Sequence, residues 1–256
     1  MPDKQLTPKR SEHRKNNSAL ASANHAVVSH EKWLTARTAL LAKEKDFNKL
    51  RDDLSRQRRE LPWELVDKNY IFEGTNGKQS LAELFAGKSQ LIVHHFMLGP
   101  GWDAGCPSCS FWADNYNGIS IHLKHRDISL LAISRAPLPE IEAYRQRMGW
   151  SFKWVSSFAT DFNFDFNASF TTGEVANGTA FWNYRKQKPE STEVVGFSAF
   201  YKDPDGQIFH TYSCYQRGID MINGAYHFMD LMPKGRDEAD QRPTMAWLRR
   251  HDEYED

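Results

Sequence analysis

Cys106-Pro107-Ser108-Cys109 is the stretch whose residue types and spacing point most directly to chemistry. Two cysteines three positions apart suit a dithiol–disulfide couple or a pair of thiolate ligands to a metal. Pro107 fits the first position of a helix, where its missing N–H would have no partner anyway. That predicts Cys106 at the helix cap, facing unpaired backbone donors and the positive end of the dipole. Such a site lowers a thiol pKa from ~8.5 into the ~3.5–7.5 range. Cys109, one helical turn on, is expected to be less exposed. Cys106 would then attack and Cys109 would resolve the mixed disulfide.

The metal alternative needs more ligands than the pair supplies. The chain has three cysteines and no second C-x-x-C, so a four-cysteine zinc site is excluded within one chain. Cys214 is a third thiol or a small buried residue. His94 and His95 are neighbours on one predicted strand and point to opposite faces, so at most one can reach a given site. Cys106, Cys109 and one of His94 and His95 would suit copper or zinc. The redox reading requires no cofactor. Pro107, Trp102, Asp103, Trp112 and Arg135 are the supporting candidates: Asp103 could pass a proton or cap the turn, and Arg135 could steady a thiolate or form an ion pair.

Elements able to position these residues can be read on both sides. Residues 1–28 are polar without sustained periodicity and predict a flexible arm. Ser29 can cap a helix over residues 29–62. Trp33, Ala36, Leu40, Phe47, Leu50, Leu54 and Leu61 form one apolar stripe along it, predicted to dock on the main body. Tyr70–Phe72 predicts a strand and Leu81–Phe85 a helical turn. Gln90–Leu98 is almost continuously apolar, as a strand covered on both faces should be. A helix is predicted over Pro107–Lys124 with Phe111, Ile119 and Leu123 inward, then a strand over Asp127–Ser134 and a helix over Leu138–Met148. Residues 150–192 are aromatic and lack periodicity, which predicts an insertion or a lid over the cysteines. Val194–Tyr201 and Gln207–Cys214 flank Asp203-Pro204-Asp205-Gly206 as a hairpin. Gly218–Met232 predicts a closing helix, and Thr244–His251 a short helix within a tail over residues 236–256. The order strand, helix, strand, helix, hairpin, helix is that of an α/β thioredoxin-like three-layer sandwich with a mixed central sheet, here over residues 63–235.

Composition limits the function classes. Among 256 residues, 33 basic and 33 acidic side chains cancel, so no global field favours nucleic acid or an anionic membrane. No apolar run approaches the ~18 residues of a membrane span, and Met1–Leu20 has no secretory pattern. A soluble, cytoplasmic protein is expected, acting with a small-molecule or thiol reductant and able to form a homo-oligomer.

The blocks QLIVHHFMLGPGWDAGCPSCSFWADNYNGI, LLAISRAPL, YRQRMGWSFKWVSS, FNFDF and HTYSCYQRG, with the ending WLRRHDEY, resemble the bacterial family called domain of unknown function 899. That resemblance implies a thioredoxin-like fold, a dithiol–disulfide oxidoreductase activity and a functional cysteine pair at Cys106 and Cys109. Two departures from ordinary thioredoxins stand out: Gly105 replaces the Trp before the motif, and Ser191–Val194 lacks the Pro that precedes the third core strand. The missing Pro argues against a general protein disulfide reductase, and the 150–192 insertion points the same way, to a covered site and a small thiol, disulfide or peroxide substrate.

Overall fold

The computed structural model describes residues 25–255. Contacts divide the chain into two units, Met1–Arg58 and Arg59–Asp256. The arm expected over residues 1–28 lies, as far as residue 24, outside the described residues. Helix α1 spans His30–Glu60, and the Ser29 carbonyl takes the Trp33 N–H at its start. None of its residues is buried. Trp33, Leu40, Phe47, Leu50 and Leu54 are exposed along it.

The second unit is built on an eight-stranded sheet. In chain order its strands are β1 (Glu64–Leu65), β2 (Ile71–Gly74), β3 (Gly77–Ser80), β4 (Gln90–His95), β5 (Ile128–Ser134), β6 (Lys153–Ser156), β9 (Gly196–Lys202) and β10 (Ile208–Tyr215). Their order across the sheet is β1-β10-β9-β4-β5-β6-β2-β3. A small separate pair, β7 (Ala180–Trp182) and β8 (Arg185–Gln187), lies outside it. β4, β5 and β6 run parallel, and β9 and β10 run antiparallel beside β4. The helices are α2 (Leu81–Leu84), α3 (Pro107–Ala113), α4 (Tyr116–Lys124), α5 (Leu138–Arg147), α6 (Phe162–Asp165), α7 (Thr172–Asn177) and α8 (Gly224–Met229). The block β5-β4-β9-β10, with α3 and α4 crossing from β4 to β5, is the thioredoxin core. The fold is thioredoxin-like.

Strand alternation sorts the core into two layers. Ile92, Leu130 and Ala132 belong to a cluster with Phe96, Cys109, Trp112, Tyr116, Trp150 and Trp154. Leu91, Val93, Leu131 and Ile133 join Phe72, Phe85, Phe162 and Phe200 on the other face.

Four expectations need correction. The helix over 107–124 is two helices. Asn115 turns its amide back to the Phe111 and Trp112 carbonyls at 3.1 and 3.2 Å, offering the last turn of α3 a side-chain partner in place of the next helical N–H. The restart turns Tyr116 inward and leaves Ile119 44% exposed. The closing helix is a 3-10 turn over Gln216–Ile222 followed by α8. The tail carries no helix over 244–251: the Trp247 N–H and indole go to Gln241 and Glu238 at 3.0 and 2.7 Å, and only His251–Glu253 forms a 3-10 turn.

Residues 150–192 are the fourth. They contain β6, a full member of the main sheet. Trp150, Phe152 and Trp154 are core residues of the layer that holds Cys109, while Phe162 sits on the opposite face and Phe158 is exposed. The segment extends the sheet and builds core rather than closing over the cysteines as a lid. Its strand escaped the sequence reading because KWVS is short and follows no strict alternation. Trp154→Ala is therefore expected to cost ~3–5 kcal/mol in urea unfolding, as for a buried aromatic, whereas Ile119→Ala should change stability by less than ~0.5 kcal/mol. A Trp154→Ala cost below ~1 kcal/mol would contradict the placement of β6 in the core.

Candidate functional site

The extended chain leaving β4 forms one wall of the site. The Phe96 N–H still bonds the Ile133 carbonyl at 2.9 Å. The turn at Gly99–Gly101, with Gly101 at a φ of +75°, then reverses direction, and the Cys106 N–H returns to the Met97 carbonyl at 3.0 Å. Met97 answers through its own N–H, which points at the Cys109 sulfur at 3.4 Å. Cys106 occupies the cap of α3 with Pro107 in the first helical turn, as the sequence predicts.

Gly105 is dictated by space. A Cβ there would stand 2.6 Å from both the Phe96 and Tyr144 rings, so the Trp found before this motif in thioredoxins cannot be accommodated. The Gly105 carbonyl accepts two bonds from the Arg250 guanidinium at 3.0 and 2.8 Å. The Ser110 hydroxyl donates to the Cys106 carbonyl at 2.9 Å and meets the Tyr144 hydroxyl at 2.9 Å. Both carbonyls flanking the turn are thus held, and the amides after Cys106 are turned to its sulfur. Arg250, Tyr144 and Ser110 are not marked as site residues by the sequence; Arg250 lies in WLRRHDEY, and nothing in its spacing marks a contact 145 residues away.

The two sulfurs occupy different surroundings. Cys106 is partly exposed and Cys109 is buried, and both are free thiols. A hydrogen bond from the Cys109 thiol does most to lower the Cys106 pKa, to about 6. Burial opposes it, and the Ser108 hydroxyl, 3.0 Å from the sulfur, and the Ser108 and Cys109 amides assist it. Cys109 moves the other way: burial and the Cys106 charge push its thiol well above the ordinary range. The pair can therefore hold one thiolate at the surface and one proton behind it.

The supporting candidates disperse. Trp112 donates its indole N–H to the Ile219 carbonyl at 2.9 Å and ties α3 to the 3-10 turn. Trp102 packs over Gly99. Asp103 is exposed and lines a cavity of about 390 Å³ with Glu140, Tyr144 and Arg147. Arg135 is taken up by an ion pair with the buried Glu193 at 2.9 Å and stacks on Phe164 at 4.4 Å. Ser169 also donates to Glu193, at 2.5 Å. Burial raises the Glu193 pKa while Ser169 and Arg135 restrain it.

His94 and His95 do lie on opposite faces. His94 meets the Tyr116 hydroxyl through Nδ1 at 2.9 Å and stacks on Phe197 at 4.5 Å. His95 meets the Ser198 hydroxyl at 2.8 Å and stacks on Phe162. Among the described residues, no three His, Cys, Asp or Glu side chains gather as metal ligands. The copper or zinc set of Cys106, Cys109 and a His is therefore not assembled, because His94 is engaged by Tyr116 and Phe197 and His95 faces away. Cys214 is half-buried and packs against the layer that holds Cys109. No helix among the described residues is long and apolar enough to cross a membrane.

Solved structures similar to this chain include a peroxidoxin, BcpB, from Mycobacterium tuberculosis, at 11% identity and a TM-score of 0.43, covering 62% of this chain and 92% of that one. The bacterioferritin comigratory protein of Xanthomonas campestris is 12% identical with a TM-score of 0.42, over 63% and 92% of the two chains. The mitochondrial 2-Cys peroxiredoxin of Plasmodium falciparum is 13% identical with a TM-score of 0.40, over 65% and 92%. No curated protein matches the sequence. Residues 22–254 match the family described as bacterial protein of unknown function (DUF899), and the chain belongs to that family.

Proposed function

We propose that this protein is a thiol–disulfide oxidoreductase that cycles Cys106 and Cys109 between dithiol and disulfide. The observation that carries the reading is the asymmetry of the pair: a partly exposed Cys106 whose sulfur takes hydrogen bonds from Ser108 and Cys109, with the buried Cys109 thiol directly behind it. The Cys106 thiolate attacks one sulfur of a disulfide, and the leaving thiolate takes a proton from solvent. Cys109 gives up its proton and attacks Cys106, which releases the second thiol and closes the Cys106–Cys109 disulfide. With a peroxide, the first product is water or an alcohol and a Cys106 sulfenic acid, which Cys109 condenses to the same disulfide with loss of water. A thiol reductant restores the dithiol, and no metal or cofactor takes part. A reducing compartment such as the cytoplasm suits that cycle.

A small substrate suits the surroundings. The loop before β9 lacks the proline with which thioredoxins meet an extended peptide. Glu193 in that loop is instead buried against Arg135.

Two outcomes test the reading. Because ionisation creates the nucleophile, the Cys106 alkylation rate should rise with pH through about 6 and level off above it, followed in a Cys214→Ser background that keeps Cys109. Since the Cys109 thiol contributes most of the lowering, Cys109→Ser should move the midpoint upward. A Cys106 that titrates near ~8.5 with Cys109 in place would refute the nucleophile assignment.

The second outcome concerns trapping. Air-oxidised protein should lose two titratable thiols and regain them with reductant, and Cys109→Ser should accumulate a mixed disulfide at Cys106, read by intact mass. Cysteines that resist alkylation until a chelator is added, with copper or zinc near one per chain, would instead make them ligands.

A further inference from the structure

The face of the sheet opposite Cys109 carries a line of polar contacts that the redox reading does not use. It begins at Glu64 in β1 and ends at His95 in β4. The Glu64 carboxylate is 3.3 Å from His210 Nδ1. His210 Nε2 is 2.7 Å from the Ser213 hydroxyl. Ser213 is 2.8 Å from the Ser198 hydroxyl, which is 2.8 Å from His95 Nε2.

Backbone irregularity creates this arrangement. His210 and Ser213 are three apart, and in a regular strand they would point to opposite faces. A bulge between His210 and Tyr212 puts an extra residue into β10, so both side chains fall on one face, against Phe200 and Ser198 of β9. Bulges re-aim side chains in this way and concentrate beside functional sites. Glu64 is the direct cross-strand partner of His210, which sets the carboxylate against the ring.

Donor and acceptor rules give the line one direction. An ionised carboxylate only accepts, so Glu64 fixes the His210 proton on Nδ1. His210 Nε2 is then an acceptor, and the Ser213 hydroxyl must donate to it. Ser213 accepts in turn from Ser198, and Ser198 from His95 Nε2–H. Burial lowers the His95 pKa to about 3 against an opposing contact with the Asn163 side chain, which keeps that ring neutral. Every hydroxyl gives one bond and takes one. The reverse direction would set a bare Nδ1 lone pair against the Glu64 carboxylate.

We propose that Ser213, His210 and Glu64 form a second catalytic site, a serine nucleophile with its base and orienting carboxylate, acting on small esters. The roles follow from geometry: nucleophile to Nε2, carboxylate to Nδ1. Ser213 Oγ adds to the ester carbonyl as its proton passes to His210 Nε2. The carbon–alkoxide bond then breaks, and the departing alcohol takes that proton. Water, deprotonated by His210, hydrolyses the acyl-Ser213 to the acid and returns the serine. Two adjoining cavities, of about 590 and 430 Å³, both reach Glu64, His210, Ser213 and Tyr184. Leu61, Pro62 and Tyr212 add apolar walls to the larger one, a volume and lining suited to a short acyl or aryl ester.

The test uses the full chain carrying Cys106→Ser, so that the reactive thiolate cannot be acylated in place of Ser213. That protein is treated with a fluorophosphonate and, separately, with p-nitrophenyl acetate. Expected are an adduct on the peptide that holds Ser213 and ester turnover that Ser213→Ala lowers by about 100-fold or more. Glu64→Gln alters an exposed side chain, leaves the core packing alone, and should lower turnover by about 10-fold or more through the His210 orientation. A Ser213→Ala protein with turnover within about two-fold of its parent, or an adduct confined to other residues, would overturn the proposal. Should Ser213→Ala fail to fold, Glu64→Gln decides: unchanged turnover overturns it. The redox cycle plays no part in these outcomes.

Discussion

Met97 makes two contacts on which the arrangement of the cysteines depends. Its carbonyl holds the Cys106 amide and its amide points at the Cys109 sulfur. One residue at the end of a buried strand therefore positions both thiols against the same backbone. The tie works only if the returning loop can come close, and that depends on Gly105. With no Cβ, it lets Phe96 and Tyr144 close directly over the backbone, while Arg250 clamps its carbonyl. Arg250 is itself fixed by Glu253 at 2.7 Å. The tail thus braces a loop that hydrophobic packing alone would leave with an unsatisfied carbonyl.

The chemical asymmetry of the pair follows from that placement. Cys109 is driven into the layer of Phe96, Trp112 and Tyr116, where a thiolate would be poorly solvated. Its proton remains in place and is shared toward Cys106. Cys106 sits one turn nearer the surface, in reach of the Ser108 hydroxyl and two backbone amides. The sequence predicts a thiolate stabilised by unpaired backbone donors and the helix dipole, and the backbone amides do contribute. The larger contribution is a thiol–thiolate hydrogen bond, which depends on burying the second sulfur. The same interaction that activates the first cysteine therefore keeps the second protonated until attack removes the charge on Cys106.

The βαβ units and the hairpin were legible because continuous apolar runs and a strong turn mark them. Gln90–Leu98, Asp127–Ser134 and Asp203–Gly206 each carry such a signal. The C-x-x-C and its proline placed the cap of α3 correctly for the same local reason. What was not legible depended on distance in sequence or on a single local competitor. β6 has four residues and takes its identity from pairing with β5. The break at Asn115 comes from one side-chain amide outcompeting the helix. Arg250, Tyr144 and the Arg135–Glu193 pair meet only once the chain is folded.

Period-two alternation gives the two sheet faces different contents from adjacent residues. His94 serves the cysteine layer through Tyr116, and His95, its neighbour, heads the serine line on the other face. A regular β10 would have preserved that alternation and separated His210 from Ser213. The bulge shifts the register by one residue and brings them together. Because the serine line crosses four strands, it is sensitive to register. A slip of one residue between β9 and β10 would exchange Ser213 for Cys214 on the serine face and turn His210 away from it. Gly196 opposes such a slip at the far end of the hairpin, since its missing side chain is what lets the Tyr215 ring lie across it, 2.6 Å from where a Cβ would stand. A larger residue moved into that position would collide with the ring, so the packing that closes the hairpin also keeps the polar line in register.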